Sequence, residues 1–471
     1  MAVSPARAVA FEILLRIERD DSYATELLHS AALVELSSRD HGLATELVMG
    51  VLRWRSLLDS RVAAASSQKL KRLDPEVLTA LRLGVYQLQF LTRVPAHAAI
   101  FESVELVKAT RKSSAAPFVN AVLRKITRTK NDADDTTAEI EKSPNSDTLA
   151  QRSAHPQWLV ARWAERYGLA SARKICAADQ AIPTTAIHVR DERTAAELTD
   201  SGLQLSPGRL LSSARFVLSG DITETRAYRE GRVSIQDEAS QLIALVAGRR
   251  SANPATLQDQ ALEAALEVTL EAKSDSAILD CCAAPGSKTA LLAERNRRAK
   301  IFATELHPHR ARLLKNLNRM PNVRIVAADA RHLPFAAQFD RILADVPCSG
   351  TGTLARNPEI KWRLKTGDLQ DLQSRQITIL KSALAQLAPG GRLVYSTCSL
   401  EREENEAVVE SAIAGTMEFK IGDMKEGLEQ LQRSGEFAPA LDLSTFLSGR
   451  YLRTIPRIHP CDGFFAALIE R

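Results

Sequence analysis

Six cysteines are spread over 471 residues, and two of them stand in matching places: Cys348 in "LADVPCSG" and Cys398 in "VYSTCSL". Each follows an apolar run that reads as a strand, and each is followed by a serine. A thiol attacks as its thiolate, and a strand end beside a helix N-terminus lowers the cost of that ion. A single cysteine would more often be a small buried hydrophobe. Two at the carboxyl edge of neighbouring strands point instead to nucleophilic chemistry. The other thiols, Cys176, Cys281, Cys282 and Cys461, form no CxxC pair, and no His stands at metal-ligand spacing. Neither a metal site nor a secreted disulfide framework is expected.

A second constellation begins at Asp280 in "DCCAAPGSKT". The loop Cys282, Ala283, Ala284, Pro285, Gly286, Ser287 and Lys288 is built of small residues, so its backbone can approach a ligand at the start of the next helix. It is not a phosphate-binding Walker loop, which needs Gly before the Lys and another five residues earlier. Ser287 and Cys282 stand there. Glu305 ends the next strand, 19 residues after Gly286, where an acid bonds ribose hydroxyls in a dinucleotide-type fold. Asp329 and Asp345 end the two strands that follow. Any one of these acids alone is better read as a cap or a surface charge, but the set converges on one sheet edge. An adenosine cofactor without a polyphosphate fits, and S-adenosylmethionine is the candidate.

A methyl donor beside two thiols suggests a specific reaction. Carbon 5 of a pyrimidine is a poor nucleophile, and adding a thiolate to carbon 6 makes carbon 5 enamine-like, which splits one hard step into two. A proton must then leave carbon 5 before the thiol departs. One cysteine could attack while the other serves release, and the residues alone do not say which is which.

The elements that must hold these groups are legible. Apolar strands are expected at 277–283, 300–306, 323–329, 341–347 and 391–397, separated by helical text, with a further strand at 463–470. Alternating strand and helix with apolar strand interiors predicts a parallel sheet covered on both faces, in a domain spanning 236–471. Ligands then bind beyond the carboxyl ends of the strands. The stretch 252–275 is longer than a connection requires and reads as an extra surface helix.

Upstream, residues 1–130 read as a helical bundle. Leu43, Leu47, Val51, Leu52 and Leu58 recur at helical spacing, and Asp74 with Pro75 opens another helix. Residues 131–150, with one Lys against six acids and almost no large apolar residue, read as a flexible acidic linker. Residues 151–235, with short alternating runs, read as a small α/β domain. The formal net charge of +5 resides mainly in the first 130 residues, where 19 Lys and Arg face 13 Asp and Glu. Such a balance is compatible with a polyanionic partner without requiring one. No run of about 18 apolar residues appears, and the N-terminal stretch suits an amphipathic helix better than a signal peptide, so a cytoplasmic protein is expected.

The motifs "CCAAPGSKT", "LADVPCSGTGTLARNPEIKWR" and "VYSTCSLEREENEAVV" closely resemble the NOL1/NOP2/Sun family of bacterial ribosomal RNA cytosine-5 methyltransferases, within it the Sun (RsmB) group. The segments "RVPAHAAIFESVELVK" and "APFVNAVLRKI" resemble the RNA-binding fold of the antitermination factor NusB, an arrangement that marks that group. The resemblance implies a multi-domain architecture: a NusB-like all-α bundle, a small α/β RNA-binding subdomain and a Rossmann-like methyltransferase domain. It implies S-adenosylmethionine as cofactor, held by Cys282 to Lys288, Glu305, Asp329 and Asp345. It also implies Cys398 as the nucleophile, Cys348 as the release residue and Asp345 also near the target base. Its substrate would be a cytosine of 16S ribosomal RNA. One departure is Ser287, where the family usually has a second Gly.

Two further expectations follow. In "ARNPEIKWRLK", Arg356, Lys361, Arg363 and Lys365 surround Trp362, which suits phosphate and stacking contacts with RNA, although Trp362 as a core residue is an equal reading. The protein is expected to be a monomer without membrane or metal partners. The rival reading is a non-catalytic RNA-binding or antitermination factor led by the helical domain, and the full set of site residues at the strand ends speaks against it.

Overall fold

The computed structural model describes residues 3–20, 22–28, 36–128, 136–249, 276–318, 320–439 and 441–471. The stretch 252–275, read above as an extra helix, lies outside the described residues. The chain divides into two compact units, Met1–Pro183 with Thr353–Leu364 and Thr184–Gly352 with Lys365–Arg471.

The first unit is helical. Pro5–Asp20 buries Ala6, Ala10, Phe11, Leu14 and Ile17 at helical spacing, as an amphipathic helix should. Ser38–Ala65 is capped by Ser37, whose hydroxyl accepts from the Asp40 amide at 3.2 Å, and it buries Leu47, Val51, Leu52 and Leu58 as the spacing predicts. Pro75–Phe90 begins at the predicted Asp74–Pro75 pair, and Ala96–Ala109 and Ala116–Arg128 complete the bundle. No helix among the described residues is long and apolar enough to cross a membrane.

Three segments depart from the sequence reading. Within the expected linker, Thr136–Glu141 and Ser146–Arg152 are helices. Asn145 caps the second through a 2.8 Å bond from the Thr148 amide, and Ile140, Leu149 and Ala150 are buried. The acidic average of the segment hid these three apolar residues, which give the short helices a face to pack. The helices Gln157–Tyr167 and Leu169–Gln180, assigned from the sequence to the small α/β domain, fall in the helical unit, where the Gln180 amide donates to the Arg53 carbonyl at 3.1 Å. Local periodicity shows that a helix exists but not what it packs against.

The third departure is Thr353–Leu364, which begins five residues beyond Cys348 yet belongs to the helical unit. The Trp362 indole donates to the Leu52 carbonyl at 2.6 Å, the Lys361 ammonium to the Arg53 carbonyl at 3.0 Å, and Arg363 to the Ile17 carbonyl at 2.9 Å. Glu359 accepts from the Ala24 amide at 2.9 Å. Lys361 is only 1% exposed. The cluster read as an RNA contact is thus largely used in internal packing.

The second unit contains two sheets. Strands β1 (Thr185–Val189), β2 (Gln204–Pro207), β3 (Ala214–Ser219) and β4 (Val233–Ile235) form an antiparallel sheet in the order β2-β3-β1-β4. The helix Glu238–Gly248 follows directly, and the buried Glu238 carboxylate accepts from the Leu210 and Leu211 amides at 2.8 Å each, which ties this sheet to the next.

The larger sheet holds β5 (Ala277–Asp280), β6 (Lys300–Glu305), β7 (Val323–Ala327), β8 (Phe339–Asp345) and β9 (Leu387–Thr397) in the parallel order β7-β6-β5-β8-β9. Short strands β10 (Lys420–Ile421), β11 (Leu447–Ser448) and β12 (Tyr451–Thr454) lie at the margin, and β13 (Phe464–Glu470) pairs antiparallel with β9. This is the expected Rossmann-like layout, with strand order reversing between β5 and β8, the place where open α/β sheets bind ligands. Its core is apolar on both faces, with Ile278, Ile301, Val394 and Leu468 on one side and Leu279, Ile342, Tyr395 and Phe465 on the other.

Candidate active site

The parallel register sets the site. Asp280 lies opposite Ala303 of β6 and Leu343 of β8, and Asp345 lies opposite Ser396 of β9, so the ends of all these strands open on one edge. Asp280 is buried, and one of its carboxylate oxygens accepts from the Thr289 hydroxyl at 2.7 Å. Burial pushes its carboxyl up to about 6, partly offset by that bond.

The loop after β5 is pinned from both sides: the Cys281 amide donates to the Leu343 carbonyl and the Ala283 amide to the Thr304 carbonyl, each at 2.9 Å. Gly286 has φ +116°, and an added Cβ there would meet the Asn318 amide and Leu314 at 2.4 Å. Only glycine serves at that corner. Ser287, by contrast, is the first residue of the helix Ser287–Arg295 with ordinary backbone, so the departure from a second Gly costs no strain. Burial pushes the Cys281 and Cys282 thiols well up, which suits neutral packing rather than attack.

Lys288 reaches from this helix to the end of β8, where its ammonium stands 2.8 Å from Asp345 Oδ2. The other Asp345 oxygen accepts from the Ser396 hydroxyl at 2.7 Å. Burial works against the Lys288 charge, but Asp345 more than offsets it and holds the ammonium above its ordinary value, with Cys398 and Asp280 adding in the same direction. Glu305 is 8% exposed and accepts from the His307 amide at 2.9 Å. Asp329 caps the turn Ala330–His332 and is gripped by Arg331, whose hydrogen bonds hold its carboxyl below the usual range.

The two cysteines meet. Cys348 Sγ and Cys398 Sγ are 3.2 Å apart, both half-buried. Contact with Cys398, then burial, push the Cys348 thiol well up, with the charges of Cys398 and Glu404 adding to it. Their loops are laced together: the Gly352 amide donates to the Cys398 carbonyl at 2.9 Å, and the Leu400 amide to the Thr351 hydroxyl at 2.9 Å. Sequence reasoning missed the residues behind this lacing, Glu404, Asn405 and Gln376. The signal was present in "EREENEAVV", where acids stand in a stretch that must enter the core.

The residues at this edge fit S-adenosylmethionine. Its ribose and amino group need carboxylate acceptors, Glu305, Asp280 and Asp345 are the carboxylates at this edge, and the loop 282–286 carries no side chain larger than proline. Lys288 and Arg331 are each paired with an acid, so no spare cation cluster awaits a polyphosphate. Among the described residues no cluster of His, Cys, Asp and Glu could hold a metal.

The family model for the 16S rRNA methyltransferase RsmB/F matches residues 267–470, and that for the NusB family matches residues 4–128. The chain is 32% identical, over all of both chains, to the probable ribosomal RNA small subunit methyltransferase B of Bacillus subtilis. This protein belongs to the 16S rRNA methyltransferase RsmB/F family. It is also 33% identical to ribosomal RNA small subunit methyltransferase B of Pseudomonas putida, over 82% of this chain and 84% of that one. Among solved structures, that of PH0851 shares the fold over the whole of both chains, with TM-score 0.77 at 21% identity. A methyltransferase homologue from Pyrococcus horikoshii aligns with TM-score 0.53 at 25% identity, over 70% of this chain and 99% of its own. Membership makes the chain a methyltransferase of the S-adenosylmethionine-dependent type.

Proposed function

We propose that this protein methylates carbon 5 of a cytosine in 16S ribosomal RNA through a transient bond between Cys398 and the base. The observation that carries the reading is the meeting of Cys348 and Cys398 at 3.2 Å, beside the Lys288–Asp345 pair. A structural thiol pair would not need a buried ammonium next to it. Contact with Cys398 and burial push the Cys348 thiol up, which supports the other sulfur as the attacking one.

In the proposed cycle the Cys398 thiolate adds to carbon 6, and the ring electrons move toward carbon 5. The loop 282–288, Glu305, Asp329 and Asp345 would hold S-adenosylmethionine, whose sulfonium would supply the methyl group to carbon 5 and leave as the neutral thioether. Asp345, fixed by Lys288 and Ser396, orients the base at the end of β8. Cys348 serves the release stage, in which the carbon 5 proton passes to solvent water, the 5,6 double bond re-forms and the Cys398 thiolate departs. The base must leave its stack for the sulfur to reach the ring face, so single-stranded or locally opened RNA is the substrate. The helical NusB-family part and the β1–β4 sheet are the candidate RNA-holding elements.

The test is trapping on RNA. Cys348→Ala should accumulate a protein–RNA adduct stable to denaturing gel electrophoresis, and Cys398→Ala should form none. If only Cys398→Ala traps RNA, the roles are reversed, and if neither variant nor the unmodified protein ever forms an adduct, the covalent route is wrong. A calorimetric titration without S-adenosylmethionine binding would favour the rival reading, a non-catalytic RNA-binding factor.

A further inference from the structure

Behind the two sulfurs lies a buried carboxylate that the proposed chemistry does not use. Glu404 is fully buried at the end of the turn Arg402–Glu404. Its Oε1 accepts from the Ser349 amide at 2.7 Å and from the Gln376 side-chain amide at 3.0 Å. Its Oε2 accepts from the hydroxyls of Ser349 and Ser399, which are themselves 3.1 Å apart. Gln376 also donates to the Pro347 carbonyl at 2.9 Å. Ser349 directly follows Cys348 and Ser399 directly follows Cys398, so one carboxylate holds the residue after each sulfur. No cation is among its partners. Burial pushes its carboxyl up, and the four donors on its two oxygens work against that by favouring the ionised form.

Resting on the cysteine roles given above, we propose that Glu404 is the positioning residue that sets the two sulfurs apart: it locks their loops through Ser349 and Ser399 and sets one buried carboxylate against the residue that follows Cys348. Register and the Gly352 and Leu400 bonds bring the two loops together, and the lock adds one shared anchor for the residue after each sulfur. The charge of Glu404 adds to the contact with Cys398 and the burial that already push the Cys348 thiol up. The other ionisable groups facing this corner are Tyr395, whose hydroxyl donates to the Glu404 carbonyl at 2.6 Å, together with Cys282 and Asp345. From the helix Asp368–Ala385 only neutral Gln376 enters, since Asp371, Arg375 and Lys381 are exposed. On the helix Glu406–Ile413, Glu406 is paired with Arg453.

The charge and the lock can be separated in the full chain. Glu404→Gln keeps the shape: the amide oxygen can accept from Ser349 and Gln376, and its NH2 can donate to the two hydroxyls. The readout is the pH midpoint of Cys348 alkylation by iodoacetamide, followed by mass spectrometry in a Cys398→Ser background so that a single sulfur titrates. Adding Glu404→Gln should lower this midpoint by about one pH unit, because a like charge is removed. Coincident midpoints overturn the proposal. Glu404→Asp keeps the charge and shortens the reach. It should leave the midpoint in place while methyl transfer falls at least tenfold in the otherwise unmodified protein, and undiminished transfer, or a midpoint moved as far as by Gln, overturns the proposal. The midpoint needs neither RNA nor methyl donor. A failure of the methylation reading itself would show instead as full activity in Cys398→Ser.

Discussion

Cys348 and Cys398 come from loops 50 residues apart in the chain, yet their sulfurs stand 3.2 Å from one another at the ends of adjacent parallel strands. The contact follows from register: Asp345 pairs with Ser396, so chains leaving β8 and β9 turn outward side by side. A serine at 398 would keep the size and the contact but lose the soft, readily ionised nucleophile. Single-turnover methylation of RNA by Cys398→Ser should fall on the order of 10³-fold or more, with the thermal midpoint little changed. Transfer at the normal rate would remove the sulfur from the mechanism.

Glu305 offers a cleaner measure of cofactor holding, because it ends a different strand from those that lead to the two sulfurs and, among the described residues, shows no side-chain partner that would collapse with it. Its bond from the His307 amide survives a change to glutamine. Losing one charge-assisted bond to a ribose hydroxyl is worth about 1.5 kcal/mol, so Glu305→Gln should weaken S-adenosylmethionine binding roughly tenfold in a calorimetric titration. Unchanged affinity would mean that the cofactor uses a different acid.

The parallel sheet and its reactive edge were legible because buried strands are short apolar runs, and their ends are marked by Asp280, Glu305, Asp345 and Cys348. What could not be read was partnership across long sequence separation. The segment containing Lys361 and Trp362 has the composition of an RNA contact, and only tertiary packing against Leu52 and Arg53 shows that it is structural. The helices at 136–152 were hidden by acids that face outward, Glu139, Glu141 and Asp147. Glu404 stands among other acids in "EREENE", and although that stretch runs into the apolar "AVV", the residue types alone do not say which acid turns inward.

Lys361 carries a prediction of its own. Burial holds its ammonium down to about 7, well below its ordinary 10.5, with Asp179 and Cys176 offsetting only part of the cost. Between these two values the unfolded chain binds a proton that the folded chain lacks, so stability rises with pH across that window and is least below pH 7. Lys361→Met removes this dependence. The difference in unfolding free energy between Lys361→Met and the unmodified protein should therefore shift in favour of the variant by about 1 kcal/mol for each unit that the pH falls from 9 toward 7. Parallel curves from urea melts at several pH values would show that Lys361 keeps its proton when folded.

The loop after Cys348 depends on a close backbone crossing. Gly352 donates to the Cys398 carbonyl and accepts from the Gly463 amide at 2.8 Å, which fixes it between the second cysteine and the start of β13. A Cβ on Gly352 would fall 2.2 Å from the Gly463 carbonyl oxygen, and one on Gly463 would fall 2.8 Å from Gly352 Cα. The obstacle is backbone on both sides, so neither change can be absorbed by a side-chain rotation. Gly352→Ala should cost about 1–3 kcal/mol of stability in overpacking. The larger effect should be on chemistry, because a shift of the Cys398 carbonyl moves the sulfur: RNA methylation should drop at least tenfold while S-adenosylmethionine affinity holds, since the cofactor loop is not involved. Gly463→Ala should behave alike. Gly427, within the helix Met424–Arg433, is the control, because its added Cβ meets nothing within 4 Å. There alanine should be neutral or stabilising by about 0.5–1 kcal/mol. Equal activity in all three variants would mean that the crossing at Gly352 does not set the sulfur geometry.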